Sequence, residues 1–431
     1  MTLLAWAAVA VFTVAYILIA TEKIHRVAAA MGGAAVMLLI GATDAHHAFF
    51  DEHTGIDWNV IFLLLGMMLI VAVMKRTGGF EYVAIWAAKK AKGKPFRIMV
   101  ILVLVTAVAS AFLDNVTTVM LIAPVTFLVC DRLGVKAIPF LIAEALASNI
   151  GGAATLVGDP PNIIIASRAG LTYNDFLIHM APIVILLMIV FVGLCRWLFR
   201  KSFTYDPAKA EKVMQLNEKD AIKDFRLLII SLGVLALVTA AFVLHTVLHL
   251  EPSVVAMVGG LLLLALSRLD AEAVAKDVEW PTLIFFAGLF IMVGALVNTG
   301  VIGQISTAAT NAVGGQLWPA TLVLLWGSAF LSAIVDNIPY VATMSPIVAD
   351  LVAGFPDGKG NVLWWALALG ADLGGNATAI GASANVVILG MAERAGKRIS
   401  FWEFTKYGLI VAVITIALCV PYLWLRYFAF A

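Results

Sequence analysis

Long blocks of apolar residues recur along the whole chain and limit what it can fold into. The first block runs from Leu3 to Ala20, and blocks of similar length follow it. A helix of about 20 apolar residues crosses the roughly 30 Å hydrocarbon core of a bilayer. Only 13% of the 431 residues are charged, whereas soluble domains carry about 25%. The sequence therefore predicts an all-α polytopic membrane protein, and it argues against a soluble enzyme, a nucleic-acid-binding protein or a secreted disulfide scaffold.

Net charge and cysteine content narrow the possibilities further. The formal net charge is +1, so no nucleic acid or other polyanionic partner is expected. Cys130, Cys195 and Cys419 are scattered along the chain and form no CxxC pair. This spacing predicts neither a disulfide framework nor a metal site. We expect no cofactor, and no metal beyond a transported sodium ion.

The first apolar block is predicted to remain in the mature chain as a membrane span. No basic residue precedes it, and a polar run from Thr21 to Arg26 follows it directly. A cleaved signal peptide has a basic start and a small-residue cleavage site. We expect a multi-pass protein of the cell (inner) membrane, surrounded by lipid, with both termini outside.

The two halves of the sequence resemble each other, which indicates an internal repeat. Shifting the chain by 222 positions places Asp114 on Asp336, and a shift of 223 places Asn162 on Asn385. Equivalent loops of the two halves differ in their content of Lys and Arg. The stretch from Lys75 to Arg97 holds seven Lys or Arg, whereas its counterpart from Val297 to Pro319 holds none. Since basic loops face the cytoplasm, the repeats are predicted to be inverted, as in many secondary transporters.

An inverted repeat needs an odd number of crossings in each half, and the first half offers five. These spans are Leu3–Ala20, Val27–Ala42, Asn59–Met74, Ala137–Ser167 and Phe176–Trp197. The remaining apolar stretch, Ile98 to Cys130, has basic residues at both ends and is predicted to be a re-entrant hairpin. Residues 1–200 and 225–431 form the two repeats, and 201–224 form a charged, solvated cytoplasmic linker.

Four breaks in the helices are predicted at mid-membrane, two at hairpin tips and two within long spans. Broken backbone at this depth is tolerated where it lines a polar cavity. Side chains with neutral oxygens and amides accompany the breaks, and we expect them to bind substrate or ion. They are Asn115, Thr117, Thr118, Gly151, Gly152, Thr155 and Asn162 in the first half, and Asn337, Gly374, Gly375, Thr378, Ser383 and Asn385 in the second.

Five acids fall in apolar stretches that contain no Lys or Arg. They are Asp114, Glu144, Asp159, Asp336 and Asp372. An intramembrane acid is costly and is taken as functional by default. With no basic partner, only a proton or a metal cation neutralises these groups, so we expect them to couple protons or cations. The alternative for Asp114, Asp159 and Asp336 is helix capping.

Four segments carry a resemblance to a known superfamily. They are SAFLDNVTTVMLIAPVT at 110–126, GGAATLVGDPPNIII at 151–165, SAIVDNIPYVATMSPIV at 332–348 and GGNATAIGASANVV at 374–387. The chain resembles the ion transporter superfamily, in the citrate-transporter-like branch of arsenite-efflux permeases, NhaD-type sodium/proton antiporters and the melanosomal P protein. The likeness extends from about Trp58 to Trp402.

This resemblance implies an elevator-type motion of a transport domain against a scaffold that forms a homodimer. It maps ion and substrate contacts onto the Asn and Thr positions given above. The second hairpin departs from the first, with Pro339-Tyr340 in place of Thr117-Thr118, so the two cation sites are expected to differ. An arsenite-type permease would also take a soluble ATPase subunit.

The sequence leaves several functions open. A non-enzymatic secondary active transporter that exports a small neutral or cationic solute, such as arsenite or antimonite, in exchange for protons fits the acids best. A sodium/proton antiporter and a sodium-coupled di- or tricarboxylate transporter are the alternatives among carriers. A chloride-type channel and an intramembrane aspartyl protease are less well supported. A protease needs Asp114 and Asp336 face to face, whereas inversion places them at hairpin tips that enter from opposite sides.

Overall fold

The computed structural model describes residues 2–21, 23–203, 205–215, 217–312 and 314–429. These residues form 22 α-helices and three short 3₁₀ turns, without a strand among them. In chain order the helices are α1 (Leu3–Thr21), α2 (Arg26–Leu39), α3 (Ala45–Phe49), α4 (Trp58–Lys75), α5 (Gly79–Lys90), α6 (Pro95–Phe112), α7 (Asn115–Leu133), α8 (Ile138–Gly152), α9 (Pro160–Ala169), α10 (Tyr173–His179), α11 (Ala181–Leu198), α12 (Pro207–Met214), α13 (Phe225–Leu248), α14 (Pro252–Ser267), α15 (Ala271–Ala275), α16 (Trp280–Asn298), α17 (Val301–Ala312), α18 (Leu317–Ile334), α19 (Asn337–Ala353), α20 (Val362–Gly374), α21 (Ser383–Arg394) and α22 (Phe401–Tyr427).

Nine of the helices in the described part of the chain are long and apolar enough to cross a membrane. They are α1, α4, α6, α7, α11, α13, α16, α18 and α22. In α4 and α16 most residues are buried, whereas α1 and α13 expose most of their apolar residues. In a membrane protein, apolar surface of this kind faces lipid. The prediction of a multi-pass, all-α membrane protein is confirmed.

The long spans break where the sequence predicts. Helix α8 ends at Gly152 and α9 begins at Pro160; α20 ends at Gly374 and α21 begins at Ser383. At the first break Asp159 is extended (φ −139°, ψ 132°), the conformation that a following proline favours. Each break is therefore a short non-helical segment between two half-helices.

Short non-helical breaks also separate the two helices of each predicted hairpin. Only Leu113 and Asp114 separate α6 from α7, and only Val335 and Asp336 separate α18 from α19. The expected interruptions at the hairpin tips are present. Helices α6 and α7 are 18 and 19 residues long, so each is about 27 Å in length.

The helices pack in two groups that each draw on both halves of the chain. We call α1, α2, α4, α13, α14 and α16 the frame helices, in which α4 packs along α14 and α16 along α2. We call α6–α9 and α18–α21 the core helices, in which α6 packs on α8 and α18 on α20. Contacts of α7 with α21 and of α9 with α19 join the halves within the core group. All four helix breaks consequently lie between core helices.

The segment between the halves is docked onto the first half. The backbone N–H of Lys223 donates to Thr77 O (2.9 Å), and Lys89 forms an ion pair with Glu218 (2.5 Å). Lys89 lies on α5, so the stretch that is predicted to be a basic loop contains a helix. This part of the linker is thus bonded to the first half of the chain and does not lie free in solvent.

Candidate functional site

Asp159 lies at the centre of a buried polar cluster that joins the two hairpin tips. Asn115 Nδ2 donates to Asp159 Oδ2 (2.8 Å), and Asn337 Nδ2 lies 3.4 Å from each oxygen of the same carboxyl group. All three side chains are buried. Asp159 precedes α9 but makes no side-chain capping bond, so capping does not explain its position. One acid therefore contacts the first residue of α7 and the first residue of α19.

A second buried amide, Asn149, extends this cluster across the halves of the chain. Asn149 Oδ1 accepts from Asn115 Nδ2 (3.2 Å). Its Nδ2 donates to Asn376 Oδ1 (2.9 Å) and Asn385 Oδ1 (3.1 Å). Asn149, Asn376 and Asn385 are all fully buried. Asn149 thus links α8 to the second helix break and to α21.

The two helix breaks are held by the same set of hydrogen bonds. Asn162 Nδ2 donates to Thr155 O (3.1 Å), and Asn385 Nδ2 donates to Thr378 O (2.9 Å). The hydroxyls of Thr155 and Thr378 each donate, at 2.5 Å, to a backbone carbonyl near the adjacent hairpin tip. These four predicted site residues therefore fix the shape of the breaks, in pairs that the repeat relates.

Asp114 and Asp336 cap the helices that follow them. Asp114 Oδ1 accepts from Thr117 N (2.8 Å), and its other oxygen accepts from the Thr117 hydroxyl. Asp336 Oδ1 accepts from Ile338 N (3.1 Å). The two acids bond to different partners, so the described contacts do not form the facing pair of an aspartyl protease. Capping, one of the two interpretations of these acids, is present in the structure.

A cavity of about 500 Å³ opens beside Asp336, at the N-terminal ends of α2 and α16. Ser383 Oγ donates to Asp336 Oδ2 (2.5 Å) and accepts from Arg26 Nη1 (3.0 Å). Arg26 Nη2 donates to Thr282 Oγ1 (3.2 Å). No ion pair among the described residues involves Asp336, but Arg26, far away in sequence, is linked to it through one hydroxyl.

On the frame side of the same cavity lies Glu279, which precedes α16. Burial raises the pKa of Glu279, and nearby Asp114 raises it further. The Thr282 hydroxyl, 3.2 Å from Glu279 Oε2, acts in the opposite direction. Arg26 therefore lies between one acid of the frame group and one of the core group, and a hydroxyl separates it from each.

Several buried polar atoms have no hydrogen-bond partner among the described residues. Both carboxyl oxygens of Asp372, Oδ1 of Asn162 and the Thr118 hydroxyl are in this state. Glu144 bonds Thr126 through Oε1 (2.5 Å), while Oε2 is unpartnered. None of the ion pairs between described residues involves Glu144, Asp159 or Asp372. These acids have no basic side chain to neutralise them.

The predicted glycines lie where helices and breaks approach most closely. A Cβ added to Gly151 would lie 2.3 Å from Ala107 O, and one added to Gly374 would lie 2.5 Å from Ala329 O. Gly152 and Gly375 leave as little room beside the carbonyls of the following break residues. Close packing of α8 on α6 and of α20 on α18 therefore accounts for these positions.

Comparison with protein families identifies the chain. A model of the CitMHS family, described as "Citrate transporter", matches residues 16–370. The chain belongs to this family. The resemblance to the citrate-transporter-like branch of the ion transporter superfamily is confirmed, and the CitMHS family is one of transporters, not of enzymes.

Several relatives agree with the family, and a solved structure shares the fold. An uncharacterized transporter of Mycobacterium tuberculosis is 56% identical over 98% of both chains, and a "46 kDa membrane protein" of Mycobacterium leprae is 56% identical over 97% of this chain and 98% of its own. The human P protein is 33% identical over 96% of this chain and 59% of its own length. The YdaH transporter of Alcanivorax borkumensis has a similar fold, with a TM-score of 0.58 at 15% identity over 84% of each chain.

Sequence reasoning missed three residues of the site in this CitMHS chain. Asn149 lies at the end of α8, before the first break, and Asn376 lies within the second break; both are fully buried amides. Arg26 lies on a frame helix and lines the cavity beside Asp336. The repeat offered a signal for the first, since a shift of 223 places Asn149 on Asp372. For Arg26 no signal existed, because its contacts lie hundreds of positions away in sequence.

Proposed function

We propose that the protein is a secondary active transporter that couples proton movement to the export of a small neutral or cationic solute. The observation that carries this proposal is the full burial of two acids, Asp159 and Asp372. Neither acid forms an ion pair with a basic residue in the described part of the chain. Two ionised carboxylates in a dry interior are costly, so a proton or a transported cation neutralises them.

The coupling role falls to five acids, and the binding role falls to the polar side chains at the breaks. The coupling acids are Asp114, Asp336, Asp159, Asp372 and Glu144. Amide and hydroxyl groups at the breaks offer neutral ligands to a solute such as trivalent arsenite or antimonite. The free N–H and C=O groups of half-helix ends add further ligands.

The proposed mechanism uses two inverted repeats and an elevator-type motion. The alternating charge of equivalent loops supports inversion, and the paired hydrogen bonds of the two breaks support the repeat. The core helices would move as the transport domain against the frame helices, which would form the interface of a homodimer in the inner membrane. Both termini would then lie outside, and residues 201–224 in the cytoplasm.

Proton coupling is tested in proteoliposomes that contain a pH-sensitive dye. Addition of arsenite or antimonite should change the internal pH when wild-type protein is present. Asp159→Asn should abolish this signal, because the variant cannot release a proton at that position. Asp350→Asn, which changes an exposed acid at the end of α19, is the matched control and should retain it.

The outcome also separates the two antiport hypotheses. A pH change driven by sodium alone, without any arsenite or antimonite, would replace solute export by sodium/proton antiport. Absence of a proton signal with every solute and with sodium would refute proton coupling. An arsenite response that increases with a soluble ATPase subunit would identify an arsenite-type system.

A second candidate is sodium-coupled transport of a di- or tricarboxylate, favoured by Arg26. Its guanidinium lines the cavity beside Ser383, and guanidinium groups pair well with carboxylates. The "Citrate transporter" description of the matched family agrees with this candidate. Citrate should then raise the melting temperature only with sodium, and Arg26→Gln should remove the effect. No shift with citrate or succinate in wild type would exclude this candidate.

A further inference from the structure

The cavity beside Asp336 carries charges of both signs. Its volume is about 500 Å³, within the range of about 300–1,000 Å³ that is typical of small-molecule sites. The frame side contributes Arg26, Glu279 and Thr282, and the core side contributes Asp336 and Ser383. A solute in this cavity would therefore contact one basic and two acidic side chains.

Two hydroxyl groups connect Arg26 to the two acids. Arg26 Nη1 donates to Ser383 Oγ (3.0 Å), which donates to Asp336 Oδ2 (2.5 Å). Arg26 Nη2 donates to Thr282 Oγ1 (3.2 Å), which donates to Glu279 Oε2 (3.2 Å). Each hydroxyl group spends its one hydrogen on an acid. The guanidinium is thus fixed from two sides by groups that carry no charge.

The hydroxyl groups keep the opposite charges apart. None of the ion pairs between described residues joins Arg26 to Asp336 or Glu279. A guanidinium has more N–H groups than the two that Arg26 uses in the described hydrogen bonds, and an ionised carboxylate accepts more bonds than the two that Asp336 receives. Both side chains therefore keep bonding capacity for a bound molecule.

A solute with a single charge matches only part of this arrangement. An anion attracted to Arg26 also approaches the carboxyl groups of Asp336 and Glu279, and like charges at short range repel each other. A cation attracted to the acids approaches Arg26 in the same way. A solute with one charge of each sign avoids both penalties, because its carboxylate pairs with a guanidinium and its ammonium group with a carboxylate. The charges therefore favour a zwitterion, which is neutral overall.

The other walls of the cavity are largely apolar. They include Val116, Pro281 and Val387, and Val116 directly follows Asn115 at the first hairpin tip. Apolar walls favour apolar groups on a ligand, because contact removes both surfaces from water. A solute that combines two opposite charges with an apolar side chain fits the lining best.

We propose that this cavity binds a zwitterionic amino acid with an apolar side chain, with its carboxylate on Arg26 and its ammonium group on Asp336. Ser383 prevents a direct ion pair between these two side chains, so the solute completes the bonding of both. The solute contacts the frame and the core helices at once. Its transport rests on the proposed function, in which it is the small neutral solute, but its binding does not.

Competition for radiolabelled leucine on the purified protein in nanodiscs tests the charge pattern in wild type. Leucinamide keeps the ammonium group and lacks the carboxylate, whereas N-acetylleucine keeps the carboxylate and lacks the ammonium group. Each analogue loses a bond between charged groups, so each should bind about ten-fold or more weakly than leucine. Glycine has both charges but no side chain, and it should also compete more weakly than leucine.

Variants test the two charged residues. Arg26→Gln and Asp336→Asn should each lower the affinity for leucine about ten-fold or more, and asparagine is also a good helix cap, so α19 should stay folded. Arg398→Gln and Asp350→Asn, which change exposed residues of the same types, are the matched controls and should bind leucine as wild type does. Ser383→Ala should weaken binding too, because Arg26 and Asp336 can then pair directly.

Three results would overturn the proposal. Leucinamide binding as tightly as leucine would assign the cavity to cations, N-acetylleucine binding as tightly would assign it to anions, and absence of leucine binding would remove the site. Leucine binding without a proton signal for any solute in proteoliposomes would instead refute the proposed function and leave the site standing. A proton-coupled arsenite response in a protein that does not bind leucine would refute the site and leave the proposed function standing.

Discussion

Replacement of Asn149 by alanine is the sharpest test of the buried amide cluster. Asn149 Nδ2 is the donor to both Asn376 Oδ1 and Asn385 Oδ1, and no other donor reaches either oxygen among the described hydrogen bonds. Asn115, which donates to Asn149, has Asp159 as its remaining acceptor. Asn149→Ala therefore leaves two buried acceptors unpaired and keeps the hairpin-tip contact.

The number of lost contacts sets the size of the effect. Interhelical hydrogen bonds in membrane proteins average about 0.6 kcal/mol, so the three bonds that Asn149 makes give a lower estimate of about 2 kcal/mol. A buried acceptor left unpaired costs about 1–3 kcal/mol, so two of them give an upper estimate of about 6 kcal/mol. The free energy of unfolding should fall by an amount between these estimates.

Unfolding of the purified protein in mixed micelles, followed by tryptophan fluorescence, measures this loss. Asn174→Ala is the matched control, because Asn174 makes one exposed hydrogen bond to Val243 O (2.8 Å). Exposed substitutions of this kind change stability by about 0.5 kcal/mol or less. Equal stability of Asn149→Ala and Asn174→Ala would show that the amides do not hold the halves together.

Three further predictions concern packing, topology and pH. Gly151→Val should destabilise the fold by about 1–3 kcal/mol through overpacking and so lower the folded yield after extraction. Gly193→Val, at a position with open space, should not. Equal yields would contradict the close helix contact. The native cysteines are buried, so a cysteine introduced at the surface can be labelled selectively. Lys90→Cys should react with an impermeant thiol reagent only from the cytoplasmic side, and Ala312→Cys only from outside. Labelling of both variants from the same side would disprove inversion. Burial raises the pKa of Glu279, so the folded protein favours the protonated acid. Stability should therefore decrease as pH rises above the ordinary pKa of Glu (about 4.3). Melting curves of Glu279→Gln should show a smaller decrease, and a pH dependence equal to that of wild type would refute this prediction.

Much of the architecture follows from the sequence because membrane helices leave strong local signals. Apolar length predicts the spans, and polar residues beside glycine or proline predict the breaks. The end of α8 at Gly152 and the start of α9 at Pro160 are examples. Such signals depend only on neighbours along the chain, so no contact between distant segments is needed to detect them.

The contacts within the site are harder to predict, because they depend on how the two halves meet. Asp159 looks like a helix cap in sequence, yet its carboxyl group accepts from Asn115 and Asn337. Gly151 looks like part of a binding site, yet its contact with α6 explains it. In each case the deciding partner lies on a helix that sequence spacing does not place.

The docked linker has a consequence for experiments that divide or extend the protein. Residues 217–223 are bound to α5 by Glu218 and to Thr77 by Lys223, so they form a lid on the first half of the chain. Co-expressed fragments should reassemble best when the cut lies after this lid, at about residue 224, because the first fragment then keeps its own cover. A fluorescent protein fused at that junction would report assembly of the halves without displacing the contact.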